Sequence, residues 1–237
     1  KDSICLAKSS FACPQGSVVL IGTRLYELKV NESGLKIEYR AWAGSTGKVD
    51  VLKGWGGSVK PETAIFCTKL ADTDLFFDLA CREVTVPCGS YRMVTTHLNK
   101  VEIRGNDDSV KFRVEENTLA VPDWGKKLEL KVQPSYNKAT RLLTIYWKFG
   151  VCGQNGEIYT GEFEKEGTYK VVLMFLDGDG KQVSGKVNWS LQEMRTGTGT
   201  IFRFDNLELM APKGALSVSL CCSVPGVGEA TTEFPLE

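Results

Sequence analysis

Period-two alternation of apolar and polar side chains recurs along this chain, and it constrains the fold more than any other feature. Tyr26, Leu28 and Val30 alternate with charged residues, and residues 128–132 repeat the pattern in the second half. Side chains of a β-strand point to opposite faces in turn, so this spacing is typical of half-buried strands. Helical spacing is scarce; residues 72–80 suit a short helix about as well as a strand. The sequence therefore predicts an all-β fold.

Two hairpins stand out. Residues 26–30 and 35–39 alternate around a polar turn at 31–34, and the apolar run 169–176 leads into Asp177-Gly178-Asp179-Gly180. The second turn resembles the opening of a calcium loop, but the glutamate that such a loop needs at its twelfth position is replaced by Asn188. Asp-Gly pairs are strong hairpin signals, so the pattern favours a hairpin over a calcium site.

The length of 237 residues suits one large β domain or two ordinary ones. A polar turn at Gly105-Asn106-Asp107-Asp108 marks a boundary. We predict a disulfide-bonded N-terminal β domain over residues 1–104 and a C-terminal β-sandwich domain over residues 105–237. Both halves would be antiparallel and sandwich-like, and the alternative is one large jelly roll. The polar, Gly-rich stretch 191–200 has the composition of a loop.

The chain contains an even number of cysteines, eight, and their spacing does not match that of a zinc site. Only Cys221 and Cys222 are adjacent, and no histidine lies near them. Disulfide bonding is the favoured interpretation. The set comprises Cys5, Cys13, Cys67, Cys81, Cys88, Cys152, Cys221 and Cys222.

Five of these cysteines lie before residue 104 and three lie after it, so each half contains an odd number. If all of them pair within the chain, at least one bridge joins the two halves. Cys222 shares strand phase with Leu220 and Val218 and should point inward, whereas Cys221 should point outward. The adjacent pair is therefore expected to have different partners.

Two Asn-x-Ser sequons begin at Asn31 and Asn188, and with the even cysteine count they indicate a secreted or extracellular-surface glycoprotein. The longest apolar run, 171–176, is far shorter than the roughly 20 residues that span a bilayer, so we expect no membrane insertion of this segment.

The formal net charge is zero, with 29 basic and 29 acidic residues, which argues against nucleic acid as a partner. The densest basic pair beside an aromatic residue, Lys126-Lys127, is typical of a solvated strand edge.

Catalytic patterns are weak. His97 is the single histidine, and no nucleophile motif surrounds it. Two carboxylates would suffice for a glycosidase, yet no pair stands out among the 29 acidic residues. We expect no cofactor, no metal site and no catalytic role.

Aromatic residues near loops are the candidate binding residues. Trp55 and Trp124 are flanked by Gly and Pro, whereas strand phase turns Trp42 and Tyr146 outward. Exposed rings anchor protein interfaces and stack on sugars, although they also fold back over sheet ends. We expect a non-catalytic binding or structural protein that engages an extracellular protein or glycan. The alternative is a carbohydrate-binding jelly roll or a carbohydrate-active enzyme.

Overall fold

The computed structural model describes the backbone of residues 3–5, 12–14, 18–21, 24–30, 37–81, 83–99, 101–106, 108–161, 170–190, 192–196, 199–203 and 206–237. These residues form strands and turns without a helix, which confirms the all-β prediction. In particular, none of them lies in a helix long and apolar enough to cross a membrane.

Thirteen strands precede residue 121 among the described residues. They are β1 (Ser3–Cys5), β2 (Ala12–Pro14), β3 (Val18–Ile21), β4 (Arg24–Val30), β5 (Ile37–Ala41), β6 (Thr46–Val49), β7 (Thr63–Leu70), β8 (Thr73–Asp78), β9 (Val84–Pro87), β10 (Gly89–Leu98), β11 (Val101–Arg104), β12 (Phe112–Val114) and β13 (Leu119–Ala120).

Ten more strands follow in the described part of the second half. They are β14 (Glu129–Asn137), β15 (Leu142–Cys152), β16 (Ile158–Gly161), β17 (Lys170–Leu176), β18 (Val187–Ser190), β19 (Gln192–Thr196), β20 (Gly199–Arg203), β21 (Leu207–Met210), β22 (Ser217–Val224) and β23 (Gly228–Pro235).

The chain divides into two compact units. Unit 1 comprises Lys1–Gly56, Lys60–His97 and Arg104–Trp124, and unit 2 comprises Gly57–Val59, Leu98–Ile103 and Gly125–Glu237. The residues that follow the predicted boundary at 104 thus group with the first unit, since β12 pairs with β10. That the chain folds as two sandwich domains stays a prediction.

Unit 1 contains a sheet with the strand order β12-β10-β7-β8, and its described strands pair antiparallel. Smaller sheets have the orders β13-β6-β9 and β3-β4-β5. Alternate residues of β7, β8 and β10 are buried, because Phe66, Phe77 and Met93 point to one side of their sheet. Their apolar surface forms the core of this unit.

Unit 2 contains strands in the order β18-β17-β22-β23-β14-β15, with β16 and β21 both paired to β15. The contact of β14 with β23 is parallel, and the other pairs are antiparallel. The run 171–176 forms most of β17, which has a neighbour on each side, as its continuous apolar character indicates. Val171, Leu173, Leu143 and Leu220 belong to the core.

Local predictions fared unevenly. The hairpins β4–β5 and β17–β18 are confirmed, although the turn 31–34 lies outside the described residues. Residues 73–78 form a strand rather than a helix. The loop predicted at 191–200 is wrong, because β19 and β20 pair through five residues on each side. Polar composition did not prevent this pairing, since the ladder satisfies backbone groups whatever the side chains are.

Candidate functional site

The predicted disulfide framework does not appear among the residues whose side chains the structure describes. None of the six cysteines in that part of the chain forms a disulfide bond: Cys67, Cys81, Cys88, Cys152, Cys221 and Cys222. The register explains this for the ladder positions, because Cys67 lies opposite Arg92 and Phe76 rather than another cysteine. The predicted bridge between the halves is absent among these six. Cys5 and Cys13 lie in the paired strands β1 and β2, and their side chains are outside the described residues.

The phase of the vicinal cysteines is as predicted. Cys222 is 1% exposed and lies opposite Val171 and Ala230, whereas Cys221 is only half-buried. Burial raises the pKa of the Cys221 thiol, and Glu229 nearby raises it further.

Trp124 cannot serve as an exposed binding ring, contrary to expectation. Its side chain has no exposed surface, and Nε1 donates a hydrogen bond of 2.8 Å to the carbonyl oxygen of Val51. The rings of Trp55 and Phe66 pack beside it, with centroids 4.5 and 6.1 Å away. The flanking Pro and Gly predicted a loop correctly, but the ring folds back into the core of unit 1.

The other three predicted aromatic residues keep different amounts of exposed surface. Trp55 is half-buried against Trp124, and Trp42 is half-buried against the backbone of Gly44. Tyr146 on β15 is 40% exposed and is one of the larger exposed rings of unit 2. Trp42 and Trp55 belong to unit 1, and Tyr146 belongs to unit 2.

His97 and Asn188 both lie on strands with exposed side chains. His97 is on β10 opposite Thr63. Asn188 is on β18, and its neighbour Trp189 is only 5% exposed, so the strand alternates as the sequence predicts. Asn31 lies outside the described residues. No three His, Cys, Asp or Glu side chains in the described part of the chain group to hold a metal.

A cluster of cationic side chains surrounds a cavity of about 510 Å³ in unit 1. We define the cationic face as the outward-pointing residues of this cavity. Its members come from β7, β8, β10, β12 and the residue before β12, and they are Cys67, Lys69, Asp74, Ser90, Arg92, Lys111 and Arg113.

Strand alternation and register assemble this face. Tyr91 lies opposite Phe112 and Thr68 and is 1% exposed, so that row belongs to the core side. The residues on either side of it in each strand therefore point the other way. Ser90 opposes Arg113, and Arg92 opposes Cys67. Side chains remote in sequence are brought together by pairing alone.

The cations of this face have acidic neighbours at its rim. Nζ of Lys111 is 2.6 Å from Oδ1 of Asp108, and Nε of Arg113 is 3.6 Å from Oε1 of Glu115. The Lys111 ammonium lowers the pKa of the fully exposed Asp108. Water and salt screen exposed pairs of this kind, so they hold the cations loosely.

The thiol of Cys67 lies at the floor of the cationic face. It is 3% exposed, and Sγ is 3.7 Å from the carbonyl oxygen of Thr68. Burial raises its pKa, Asp74 raises it further, and Arg92 and Lys69 act in the opposite direction. A buried thiol with a raised pKa is a poor nucleophile near neutral pH.

Unit 2 contains a buried carboxylate, Glu157, in the turn between β15 and β16. It has no exposed surface. Its Oε1 accepts a hydrogen bond of 3.0 Å from the amide of Gly125, and Oε2 accepts one of 3.1 Å from the amide of Asn155. The Tyr159 hydroxyl donates to Oε1 at 3.5 Å. Backbone dipoles thus replace the water that burial removes from this charge.

The surroundings of Glu157 are shaped to hold it. A Cβ at Gly153 would lie 2.1 Å from Oε1, so a larger residue would displace the carboxylate. Burial raises the pKa of the Tyr159 phenol, and the Glu157 charge adds to the effect. Cys152 beside this turn also has a pKa raised by burial.

Sequence reasoning missed both charged clusters. Lys111 and Arg113 did show a signal, because they alternate with the apolar residues Val110, Phe112 and Val114. Nothing in the sequence joins them to Arg92 or Lys69, since only the strand register does so. Glu157 gave no signal, because it follows the polar turn 153–156 as a surface residue would.

Comparison with known proteins gives no relative: no family model matches the chain, and neither a curated protein nor a solved structure matches it.

Proposed function

We propose that this chain is a non-catalytic binding protein of the secretory or extracellular compartment, and that the cationic face of unit 1 is where it recognises an acidic macromolecule. One observation carries the proposal. Four cationic side chains and one carboxylate line the cavity, although the whole chain has no net charge. A local excess of one sign of charge in a concave site attracts ligands of the other sign.

Binding fits this face better than catalysis does. Its carboxylate, Asp74, lies opposite Lys69 on the neighbouring strand. Its thiol, Cys67, is buried with a raised pKa. General acid–base or nucleophilic chemistry needs a group poised to exchange a proton near the working pH. His97 does not line this cavity.

The proposed recognition surface is the cationic face and not the loops that carry Trp55 and Trp124. Trp124 is fully buried, and Trp55 packs on it, so the pair stabilises unit 1. At this face, carbohydrate binding is less favoured, because sugar stacking needs an exposed ring. Of the two rings that line the cavity, Tyr91 is buried, and the half-buried Phe112 stacks on it with the ring centroids 5.4 Å apart.

The proposed extracellular location rests on the second sequon alone, because none of the six described cysteines forms the disulfide bond that the sequence predicted. Asn188 is exposed on β18, so its amide is accessible to a glycan while Trp189 is buried. Expression in a secretory pathway followed by glycopeptide mass spectrometry tests this part. We expect a glycan on Asn188, and an unmodified Asn188 would argue against the location.

Polyglutamate binding tests the proposed face. The chain should bind immobilised polyglutamate in low salt and release it in high salt, since exposed charges are screened. A variant with Lys69→Gln, Arg92→Gln, Lys111→Gln and Arg113→Gln should lose about tenfold or more in affinity. The matched control replaces four exposed lysines by Gln: Lys127, Lys138, Lys181 and Lys213. Equal losses in the two variants would contradict the proposal.

A further inference from the structure

The side chains of the cationic face lie in two parallel rows. In the first row Arg113 lies opposite Ser90, and Lys69 lies opposite Asp74. In the second row Arg92 lies opposite Cys67, which in turn lies opposite Phe76. Lys111 precedes β12 by one residue and adds a cation beside Arg92.

The spacing of these rows is set by strand geometry. Residues two apart on one strand are separated by about 6.6–6.8 Å, and neighbouring strands by about 4.8 Å. Lys111 and Arg113 are two residues apart, as are Ser90 and Arg92. Lys111 and Arg113 therefore lie at the repeat that a second extended polypeptide has along its own length, and Ser90 and Arg92 place two further donors at the same repeat on the adjacent strand.

We propose, on the basis of the proposed function, that the ligand of the cationic face is an extended acidic peptide with carboxylates at alternate positions. Such a segment lying along β12 and β10 places successive same-side carboxylates at the separation of Lys111 from Arg113. Arg92 and the Ser90 hydroxyl then supply donors on the adjacent strand. Arg–carboxylate pairs can form two parallel hydrogen bonds, which adds geometric selectivity.

The protein's own acidic residues already place carboxylates where those of a ligand would lie. Asp108 pairs with Lys111, and Glu115 lies near Arg113, at the two ends of this short segment. Both pairs are exposed and weak, so they yield readily to a ligand with several linked carboxylates.

Nucleic acids and sugars fit this face less well. Single-stranded nucleic acid is held by a series of exposed rings on which successive bases stack, whereas Tyr91 is buried and the half-buried Phe112 already stacks on Tyr91. Phe76 is half-buried at the far end of the second row, beside Cys67. One ring at the edge does not provide a stacking platform.

Two peptides of identical composition test the inference by fluorescence polarisation. One alternates serine and glutamate, and the other carries all its serines before all its glutamates. The alternating peptide should bind about fivefold or more tightly, and the separate variants Arg92→Gln and Lys111→Gln should each remove most of this preference. Lys213→Gln, an exposed lysine of unit 2, is the control and should keep it.

Other outcomes separate this inference from the proposed function. Equal affinity for the two peptides, with polyglutamate still bound, would overturn the inference and leave the proposed function standing. Tighter binding of a sulfated oligosaccharide or of single-stranded DNA than of the alternating peptide would also overturn it. Failure of every anionic probe to bind would overturn both. Unfolding curves of each variant show whether a loss of binding reflects a loss of fold.

Discussion

The two units place charge in opposite environments. In unit 2 the carboxylate of Glu157 is fully buried and is hydrogen-bonded by two backbone amides and a tyrosine hydroxyl. In unit 1 the cations of the cationic face line an open cavity, where Lys111 and Arg113 pair with the exposed carboxylates of Asp108 and Glu115. A buried, satisfied charge is costly to remove, whereas an exposed one is available to a ligand. We therefore assign a structural role to the first cluster and recognition to the second.

The largest expected effect is on Glu157. The Glu157→Ala substitution should lower the free energy of unfolding by about 3 kcal/mol, because the amides of Gly125 and Asn155 lose their acceptor while buried. Denaturant unfolding measures it. Glu208→Ala on β21 is the control, since Glu208 is exposed and its removal should change the value by less than about 0.5 kcal/mol. If Glu157→Ala lowered the free energy of unfolding by no more than this control does, the structural role of Glu157 would be contradicted.

The next largest effect is on stability at alkaline pH, because a buried tyrosine lies beside each of the two clusters. Burial raises the pKa of Tyr159 beside Glu157 and of Tyr91 behind the cationic face. The folded chain therefore keeps these protons where the unfolded chain loses them. The contribution of these phenols to the free energy of unfolding is complete below a pH of about 10. Above that pH it falls by about 1.4 kcal/mol per pH unit for each phenol.

Urea unfolding over a pH series checks this dependence. Tyr159→Phe and Tyr91→Phe should each make the alkaline fall shallower by one phenol's share. A slope that neither substitution changes would mean that the phenols titrate alike in the folded and unfolded chains.

The reaction rates of the thiols compare the two clusters locally, and the expected effects are smaller. Titration in denaturant without reductant should find at least six thiols, because none of the six described cysteines forms a disulfide bond, and two or fewer would restore the disulfide framework. In the native protein Cys81 should react fastest, because it is exposed, while Cys67 and Cys152 are buried. Bound polyglutamate should slow Cys67, which lines the cavity, and leave the rate of Cys152 unchanged. Equal slowing of both would contradict binding at the cationic face.

Local pattern predicted the strands well and the sites poorly, for a physical reason. The alternation at 26–30 and the apolar run at 171–176 are properties of single segments, and both became strands. The cationic face depends on the register of β12, β10 and β7, which no segment contains by itself. Glu157 is buried because Gly125, 32 residues earlier, supplies an amide. Trp124 shows the same limit, since its flanking residues predicted the loop but not the direction of the ring.

The most direct test measures stability and polyglutamate affinity together on two variants, Arg92→Gln/Lys111→Gln and Glu157→Gln. The first should lose about tenfold in affinity and change the free energy of unfolding by much less than the second, because Lys111 is exposed and Arg92 is only half-buried, whereas Glu157 is fully buried. The second should lose stability and keep its affinity, because Glu157 is buried in the other unit. If both variants lose affinity and stability together, or if the first unfolds while the second does not, the division between a recognising cluster and a structural one is contradicted.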